Sequence, residues 1–314
     1  MKNLVIGGAG FLGSNLCDAL LDRGDKVICI DNFITGSRSN IEHLRDNKNF
    51  RFIEADIITL DIEKINFPFV PDIIFHLASP ASPKDYICYP LETLRVNSIG
   101  TERCLNLALK TGAKFLFTST SEVYGDPIET PQKETYWGNV NPVGPRSVYD
   151  EAKRYAEALI MAYQRIYKIK VYIPRIFNTY GPRMRLDDGR VIPNFIAQAI
   201  KKNPLTIYGD GKQTRSFCYV DDLIKGLLLL VETDYHMPVN LGNPDEFTII
   251  ELANKINEIT GLNLPLEFLP PVVDDPRKRR PDISLAKKLL GWAPAVNLED
   301  GLRRTLYYYM KGEK

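Results

Sequence analysis

A chain of 314 residues, 44% hydrophobic and 25% charged, is long enough for a substantial core and two closely joined lobes. Its 40 basic and 39 acidic side chains give a net charge of +1, so no overall field favours nucleic acid or a membrane surface. The longest aliphatic run, Leu227 to Val231, is too short to cross a bilayer, and no signal peptide precedes the first predicted strand. We therefore expect a cytoplasmic protein with no membrane or nucleic-acid partner.

The five cysteines are dispersed without a Cys-x-x-Cys pair, and the three histidines lack metal-ligand spacing. A scattered, odd set of cysteines is typical of buried thiols in a reducing compartment rather than of disulfides or zinc. We expect no metal site.

Three glycines follow the first apolar segment. Leu4 to Ile6 predict a strand, Gly7, Gly10 and Gly13 come directly after it, and a helical pattern begins next. In this order the first glycine permits a tight turn, the second lets backbone approach a pyrophosphate, and the third lets the helix pack on the strand. Glycine spacing alone is weak evidence for a dinucleotide site, so the interpretation depends on the residue that ends the second strand.

A second predicted strand, 26–30, ends in Asp31, about 20 residues after the glycine turn. A carboxylate at this position binds the adenosine ribose hydroxyls and repels a 2′-phosphate. We therefore predict NAD, rather than NADP, as the cofactor.

Strands and helices then alternate. Further strands are predicted at 50–55, 72–77, 114–119 and 170–176, with helices at 91–110 and 149–167. This alternation predicts an α/β fold, a Rossmann-type doubly wound parallel sheet with a smaller C-terminal α/β substrate lobe. We expect the NAD-binding domain at 1–177, with 216–242 returning to it, and the nucleotide-sugar lobe at 178–314.

In doubly wound sheets, ligands bind beyond the carboxyl ends of the strands, where polar loops occur in this sequence. The predicted cofactor-binding residues are Gly7, Gly10, Phe11, Leu12, Gly13, Asp31, Asn32, Phe33, Thr35, Gly36, Asp56, Ile57, Leu77, Ala78, Ser79, Tyr149 and Lys153.

Tyr149 and Lys153 are four residues apart and share one helical face. Tyr208 with Lys212 and Tyr307 with Lys311 have the same spacing. Only the Tyr149 pair lies on a helix that begins soon after the strand ending in Thr120. A phenol that acts as a base near neutrality needs its pKa lowered from about 10 to about 7, roughly 4 kcal/mol. An adjacent ammonium and a cationic nicotinamide ring can supply this shift.

The densest positive charge lies at 275–282, between aspartates and prolines. Taken alone it could be a solvated loop or a nucleic-acid patch. In a short segment of a nearly neutral chain, we interpret it as a clamp for one phosphorylated ligand.

Longer motifs add a family resemblance. The glycine turn, Tyr149 with Lys153, and Asn178 after the sixth strand resemble the extended short-chain dehydrogenase/reductases that act on nucleotide sugars. The segments 76–83, 119–127, 136–146, 175–184 and 214–220 carry it further, so that it covers nearly the whole chain.

The resemblance implies NAD-dependent decarboxylation of UDP-glucuronate to UDP-xylose. C4 is oxidised, the resulting 4-ketone lets the C5 carboxylate leave as carbon dioxide, and C4 is reduced again. The implied catalytic residues are Tyr149, Lys153, Thr120, Ser121, Glu122 and Arg279, with Tyr149 as the base. The implied substrate-binding residues are Tyr86, Arg95, Asn178, Tyr208, Arg215, Arg279 and Arg280.

Related activities share this machinery. A 4,6-dehydratase carries Asp-Glu after the threonine, whereas this chain has Ser121 there. The main alternative is a 4-epimerase of UDP-glucuronate or a UDP-hexose, which usually carries small residues where Glu122 stands. A catalytically inactive NAD-binding protein is a further alternative. The resemblance and the apolar faces of helices 91–110 and 149–167 also predict a homodimer.

Overall fold

The computed structural model describes residues 1–271 and 279–312. Its helices and strands, in chain order, are β1 (Lys2–Ile6), α1 (Phe11–Asp22), β2 (Lys26–Asp31), β3 (Phe50–Glu54), β4 (Ile73–His76), α2 (Pro83–Cys88), α3 (Pro90–Arg95), α4 (Thr101–Thr111), β5 (Lys114–Phe117), β6 (Ser119–Thr120), α5 (Ser147–Tyr167), β7 (Val171–Tyr172), β8 (Pro174–Ile176), β9 (Thr179–Tyr180), α6 (Val191–Ile200), β10 (Leu205–Tyr208), β11 (Thr214–Ser216), β12 (Cys218–Tyr219), α7 (Val220–Leu230), β13 (Val239–Leu241), β14 (Glu246–Thr248), α8 (Ile249–Thr260), β15 (Leu266–Leu269), α9 (Ser284–Leu290) and α10 (Leu298–Gly312).

The central sheet has six parallel strands in the order β3-β2-β1-β4-β5-β7. The strands are added on one side of β1 first, β2 and then β3, and afterwards on its other side, as in a doubly wound dinucleotide-binding fold. A second parallel sheet, β13-β8-β6, continues the last strands. The predicted Rossmann-type fold is confirmed.

The two faces of the sheet carry separate cores, because alternate residues of a strand point to opposite sides. Val5 of β1 packs in the cluster that includes α1 and α7, whereas Leu4 and Ile6 pack in the cluster that includes α4 and α5. All three side chains are at most 1% exposed. Strands buried on both faces are typical of parallel sheets covered by helices.

Three predicted elements are interrupted. The strand predicted at 170–176 divides at Ile173 into β7 and β8, which belong to different sheets. The strand predicted at 114–119 divides at Thr118, whose carbonyl accepts a hydrogen bond from Lys153 Nζ at 2.8 Å. The helix predicted at 91–110 contains a π-helical turn, Val96–Gly100, between α3 and α4. Such turns widen a helix locally and often occur near functional sites. In this chain His76 Nε2 contacts the Val96 carbonyl oxygen at 3.2 Å.

The C-terminal part forms a second lobe from small strand pairs and helices. The strands β10 and β15 are parallel, and β11 and β14 are antiparallel. The chain also returns to the first lobe, because β13 pairs with β8 and α7 contacts α1. The division at residue 177 stays a prediction. Among the described residues, no helix is both long enough and apolar enough to span a bilayer.

A buried ion pair ties α5 to the sheet. Arg175 of β8 donates two hydrogen bonds to the carboxylate of Glu157, at 2.9 and 2.7 Å. Each side chain is 12% exposed. The Ser119 hydroxyl, beside Thr120, donates to the same carboxylate at 2.5 Å. This contact fixes α5 against the end of the strand that carries Thr120.

Glu157→Ala is expected to lower the free energy of unfolding by about 3–5 kcal/mol, because it leaves the Arg175 guanidinium buried without its partner. Urea denaturation followed by tryptophan fluorescence measures the loss. The control is Glu54→Ala, which removes an exposed partner of Arg38 and should cost less than about 1 kcal/mol. Equal losses in the two variants would contradict the structural role of the buried pair.

Candidate active site

The glycine turn is too tight for side chains. Gly7 has φ +83°, and a Cβ there would lie 2.5 Å from the Ala78 nitrogen. A Cβ on Gly13 would lie 2.1 Å from the Gly7 carbonyl oxygen, so α1 packs directly on the turn. Close approach of backbone in this way leaves room for a pyrophosphate.

The N-terminus of α1 suits an anion. Gly10 is its N-cap and provides no side-chain cap, and the first turn of this fully described helix has no acidic residue. The first N–H groups of a helix lack intrahelical partners and carry the positive end of the helix dipole. The turn and helix together fit the phosphates of a dinucleotide.

Asp31 ends β2 beside the glycine turn. Its carboxylate accepts hydrogen bonds from the Ala9 N–H at 2.9 Å and the Phe33 N–H at 2.8 Å. Burial raises the pKa of Asp31, and these backbone bonds oppose that shift. A carboxylate accepts about four hydrogen bonds, so Asp31 is a suitable acceptor for ribose hydroxyls.

One cavity of about 560 Å³ connects the two lobes. Most of the predicted site residues line it, namely Gly7, Gly10, Phe11, Leu12, Gly13, Asp31, Asn32, Thr35, Gly36, Asp56, Ile57, Leu77, Ala78, Ser79, Tyr86, Thr120, Ser121, Glu122, Tyr149, Lys153, Asn178, Tyr208, Arg215 and Arg279.

Three predicted residues do not line this cavity. The Phe33 ring packs 5.2 Å from that of Phe52, and Arg95 is exposed at the end of α3. Arg280 Nε donates to the Pro244 carbonyl oxygen at 3.0 Å. The assignment of these three residues to ligand binding stays a prediction. The rest of the basic run, 275–278, lies outside the described residues.

Lys153 is buried beside the rings of Phe117 and Tyr149. Its ammonium donates to the Thr118 carbonyl and lies 4.4 Å from the centre of the Phe117 ring. Burial lowers the pKa of Lys153 to about 7, and the charge of Glu157 opposes this shift. The ammonium lies 5.7 Å from the centre of the Tyr149 ring, as the shared helical face predicts.

The lowered pKa expected of Tyr149 requires both the Lys153 ammonium and the nicotinamide charge, and the chain itself supplies only the first. Burial raises the pKa of the phenol, which outweighs both a hydrogen bond with Thr120 and the charge of Arg190. The ring stacks on Tyr86 with 5.2 Å between centroids and 10° between planes. The prediction takes account of the nearby ammonium but not of desolvation, which depends on tertiary packing.

Glu122 is held by two arginines. Arg279 donates from both terminal nitrogens to the Glu122 carboxylate, and Arg146 Nη2 donates to Oε2 at 2.6 Å. Burial would raise the pKa of Glu122, but the charges of Arg279 and Arg146 hold it below its ordinary value. In the described part of the predicted phosphate clamp, Arg279 thus contacts the Glu122 carboxylate.

Four arginines of the cavity have no role among the residues predicted from the sequence, namely Arg183, Arg185, Arg146 and Arg190. The last two are the N-caps of helices, Arg146 of α5 and Arg190 of α6. A positive side chain is unfavourable at a helix N-terminus. That conflict is the signal in the sequence that could have identified both.

The doubly wound sheet, the glycine turn, Asp31 and the Tyr149–Lys153 pair define a dinucleotide-binding enzyme of the Rossmann type. A family model described as the NAD dependent epimerase/dehydratase family matches residues 3–242. The chain belongs to that family, which confirms NAD as the cofactor.

The comparisons with known proteins give a consistent result. The chain is 55% identical over 304 residues to UDP-glucuronic acid decarboxylase 1 of Arabidopsis thaliana, covering 97% of this chain and 68% of that protein. The UDP-glucose 4-epimerase of Thermotoga maritima, solved with UDP-glucose, superposes with a TM-score of 0.92 at 33% identity over all of both chains. The UDP-glucuronic acid 4-epimerase of Bacillus cereus, solved with UDP-glucuronic acid and NAD, gives 0.87 at 33% identity over 99% of each.

Lys153 predicts a pH dependence of stability. Its pKa is about 7 in the folded chain against an ordinary 10.5, so between these values the unfolded chain binds more protons. The free energy of unfolding of the wild type should therefore rise, relative to that of Lys153→Met, as the pH rises from 7 towards 10. Urea denaturation across this range measures the difference. Lys170→Met, which removes an exposed lysine, is the control, and pH curves of the same shape for wild type and Lys153→Met would contradict the prediction.

Proposed function

We propose that this chain converts UDP-glucuronate to UDP-xylose and carbon dioxide, as an NAD-dependent carboxy-lyase. The observation that carries the proposal is the cluster in one cavity of Thr120, Tyr149, Lys153 and a Glu122 held by two arginines. The 55% identity to a named UDP-glucuronic acid decarboxylase supports the choice of reaction.

Tyr149 removes the proton of the sugar C4 hydroxyl, which Thr120 orients. NAD, when bound, accepts the hydride of C4 and contributes a positive charge that favours the deprotonated phenol. The buried ammonium of Lys153 stabilises the same phenolate. The sugar then carries a ketone at C4, beta to the carboxylate on C5.

The ketone makes the loss of carbon dioxide easy, because the carbonyl oxygen accepts the electron pair of the breaking bond. The residues therefore act mainly by placing charge. Ser121 binds the sugar beside the reacting hydroxyl, and Arg279 contacts the C5 carboxylate. Glu122, ionised between its two arginines, orients C5 for reprotonation, and C4 is then reduced again.

The remaining cavity residues bind the nucleotide. We assign Asn178 and Arg215 to the diphosphate, Tyr208 to the neighbourhood of the uracil, and Tyr86 to the sugar acid. All four line the cavity, and the Tyr86 hydroxyl is buried without a hydrogen-bond partner among the described residues. The five free cysteines, of which Cys88 is exposed, favour a reducing compartment such as the cytoplasm.

The alternative is a 4-epimerase, because two structural relatives bear that name. An epimerase would return the same mass with C4 inverted. The 55% identity to a UDP-glucuronic acid decarboxylase, against 33% to each of these epimerases, favours the decarboxylase.

Purified protein incubated with UDP-glucuronate and catalytic NAD should release carbon dioxide and give a UDP-pentose. Tyr149→Phe should lower kcat by about 10²–10⁴-fold, because general acid–base catalysis contributes this much, while NAD binding remains. Mass spectrometry and NMR follow the product. Tyr307→Phe, an exposed tyrosine with the same spacing to a lysine, is the matched control. A product of unchanged mass would refute the decarboxylase, and full activity of Tyr149→Phe would refute the base.

We also propose a homodimer that buries the surface of α3, α4 and α5. Leu94, Ile99 and Leu109 are 38–43% exposed along the α3–α4 segment, and Tyr155 of α5 is 54% exposed. Apolar side chains grouped in this way indicate an interaction surface.

Leu109→Asp should shift the dimer towards monomer, because a charge in an apolar interface lacks a partner. Sedimentation velocity at micromolar concentration measures the state. Ile128→Asp, on an 82% exposed side chain of a loop, should leave the dimer intact. A monomeric wild type, or equal dissociation of both variants, would exclude this interface.

A further inference from the structure

Two guanidinium groups converge on a single carboxylate in the active site. Glu122 is 13% exposed, and its partners Arg279 and Arg146 are 6% and 16% exposed. Arg146 is the N-cap of α5, and Arg279 belongs to a segment that pairs with Gln132. The cluster therefore carries one positive charge more than Glu122 neutralises.

The neighbouring groups offset little of this excess charge. Burial raises the pKa of Asp150 to about 7, which favours its neutral form more than in an ordinary aspartate. Burial also raises the pKa of Tyr86 and of Tyr149, so both phenols are neutral there. The nearby Arg190 is already paired with Asp188.

The cluster also has an unused donor. The Nε–H of Arg279 is buried, and it has no hydrogen-bond partner in the part of the chain that the structure describes. Arg279, Arg146 and Glu122 line the cavity that also contains Thr120 and Tyr149. The charge of Glu122 acts on the Tyr149 phenol. The charges of Arg146 and Arg279 act on Tyr86, which stacks on Tyr149, so the cluster lies near the phenol. A sugar carboxylate on the carbon adjoining the one whose hydroxyl Tyr149 holds would then meet this donor and this excess charge.

We propose that Arg146 is a positioning residue that holds Glu122 in place while Arg279 binds the carboxylate of the sugar. With both arginines, two carboxylates pair one to one with two guanidinium groups. Without Arg146, Glu122 and the sugar carboxylate compete for Arg279 and repel each other. Arg146 thereby selects sugars that carry a carboxylate over neutral hexoses. This inference rests on the proposed function, because it takes a uronate as the substrate.

The test measures binding in a Tyr149→Phe background, so that no nucleotide sugar is consumed. Calorimetry with NAD-loaded protein gives Kd for UDP-glucuronate and for UDP-glucose. Adding Arg146→Gln should raise the Kd for UDP-glucuronate by roughly tenfold or more and the Kd for UDP-glucose by less than about twofold. Arg146→Lys keeps the charge and should lose much less affinity for UDP-glucuronate. Arg51→Gln, at an exposed arginine of β3, controls for the change in net charge.

The double variant Glu122→Gln with Arg146→Gln gives the sharpest result. It restores one cation for one carboxylate, so UDP-glucuronate should bind more tightly than it does to Arg146→Gln alone. Equal weakening of both nucleotides by Arg146→Gln, or no recovery in the double variant, would overturn the inference. Carbon dioxide release by the wild type tests the proposed function separately. A chain that binds with this selectivity and releases none would refute only the reaction.

Discussion

The active site depends on the buried contact between Arg175 and Glu157. Glu157 accepts from Ser119, next to Thr120, and lies one helical turn after Lys153. The Arg175 guanidinium donates a hydrogen bond to the Tyr124 hydroxyl, which donates to the side-chain oxygen of Asn240. The Asn240 amide in turn donates to the carbonyl oxygens of Gln132 and Asp282. A single chain of buried hydrogen bonds thus connects the catalytic helix to the segment that carries Arg279. Because buried polar groups are costly when unpaired, this chain restricts the relative positions of its members.

The same burial that orders these residues opposes their chemistry. It lowers the pKa of Lys153 and raises that of Tyr149, and both shifts disfavour the charged forms that the proposed reaction uses. The Thr120 hydrogen bond and the Arg190 charge act in the opposite sense on Tyr149 but are outweighed. A cavity with this balance holds a neutral phenol until another positive charge approaches. Base strength is therefore tied to occupancy of the cofactor site.

Local patterns predict the parts of the site that local geometry determines. Gly7, Gly13 and Asp31 are identifiable because a turn and a strand end impose residue types directly. The four-residue spacing of Tyr149 and Lys153 is equally readable, since helical periodicity places them on one face. The break at Thr118, the pKa of Tyr149 and the position of Arg95 could not be predicted, because each depends on packing between distant segments. Arg146 is an intermediate case. Its place at a helix N-terminus can be predicted from the sequence, but its partner Glu122, 24 residues away, cannot.

Within this family the fold does not decide the product, since the chain is similar both to a protein named UDP-glucuronic acid decarboxylase and to one named UDP-glucuronic acid 4-epimerase. Once a 4-ketone has formed beta to a carboxylate, retention of carbon dioxide and its loss differ in how the carboxylate is held. A site that places the carboxylate against a lone cation stabilises its charge and resists departure. In the proposed site Glu122 shares the two arginines with the sugar carboxylate, so that charge is stabilised less than by a cation with no other partner, and the carboxylate leaves more easily. The way Arg146 and Arg279 are shared between Glu122 and the sugar carboxylate can therefore determine both which sugar binds and which bond breaks.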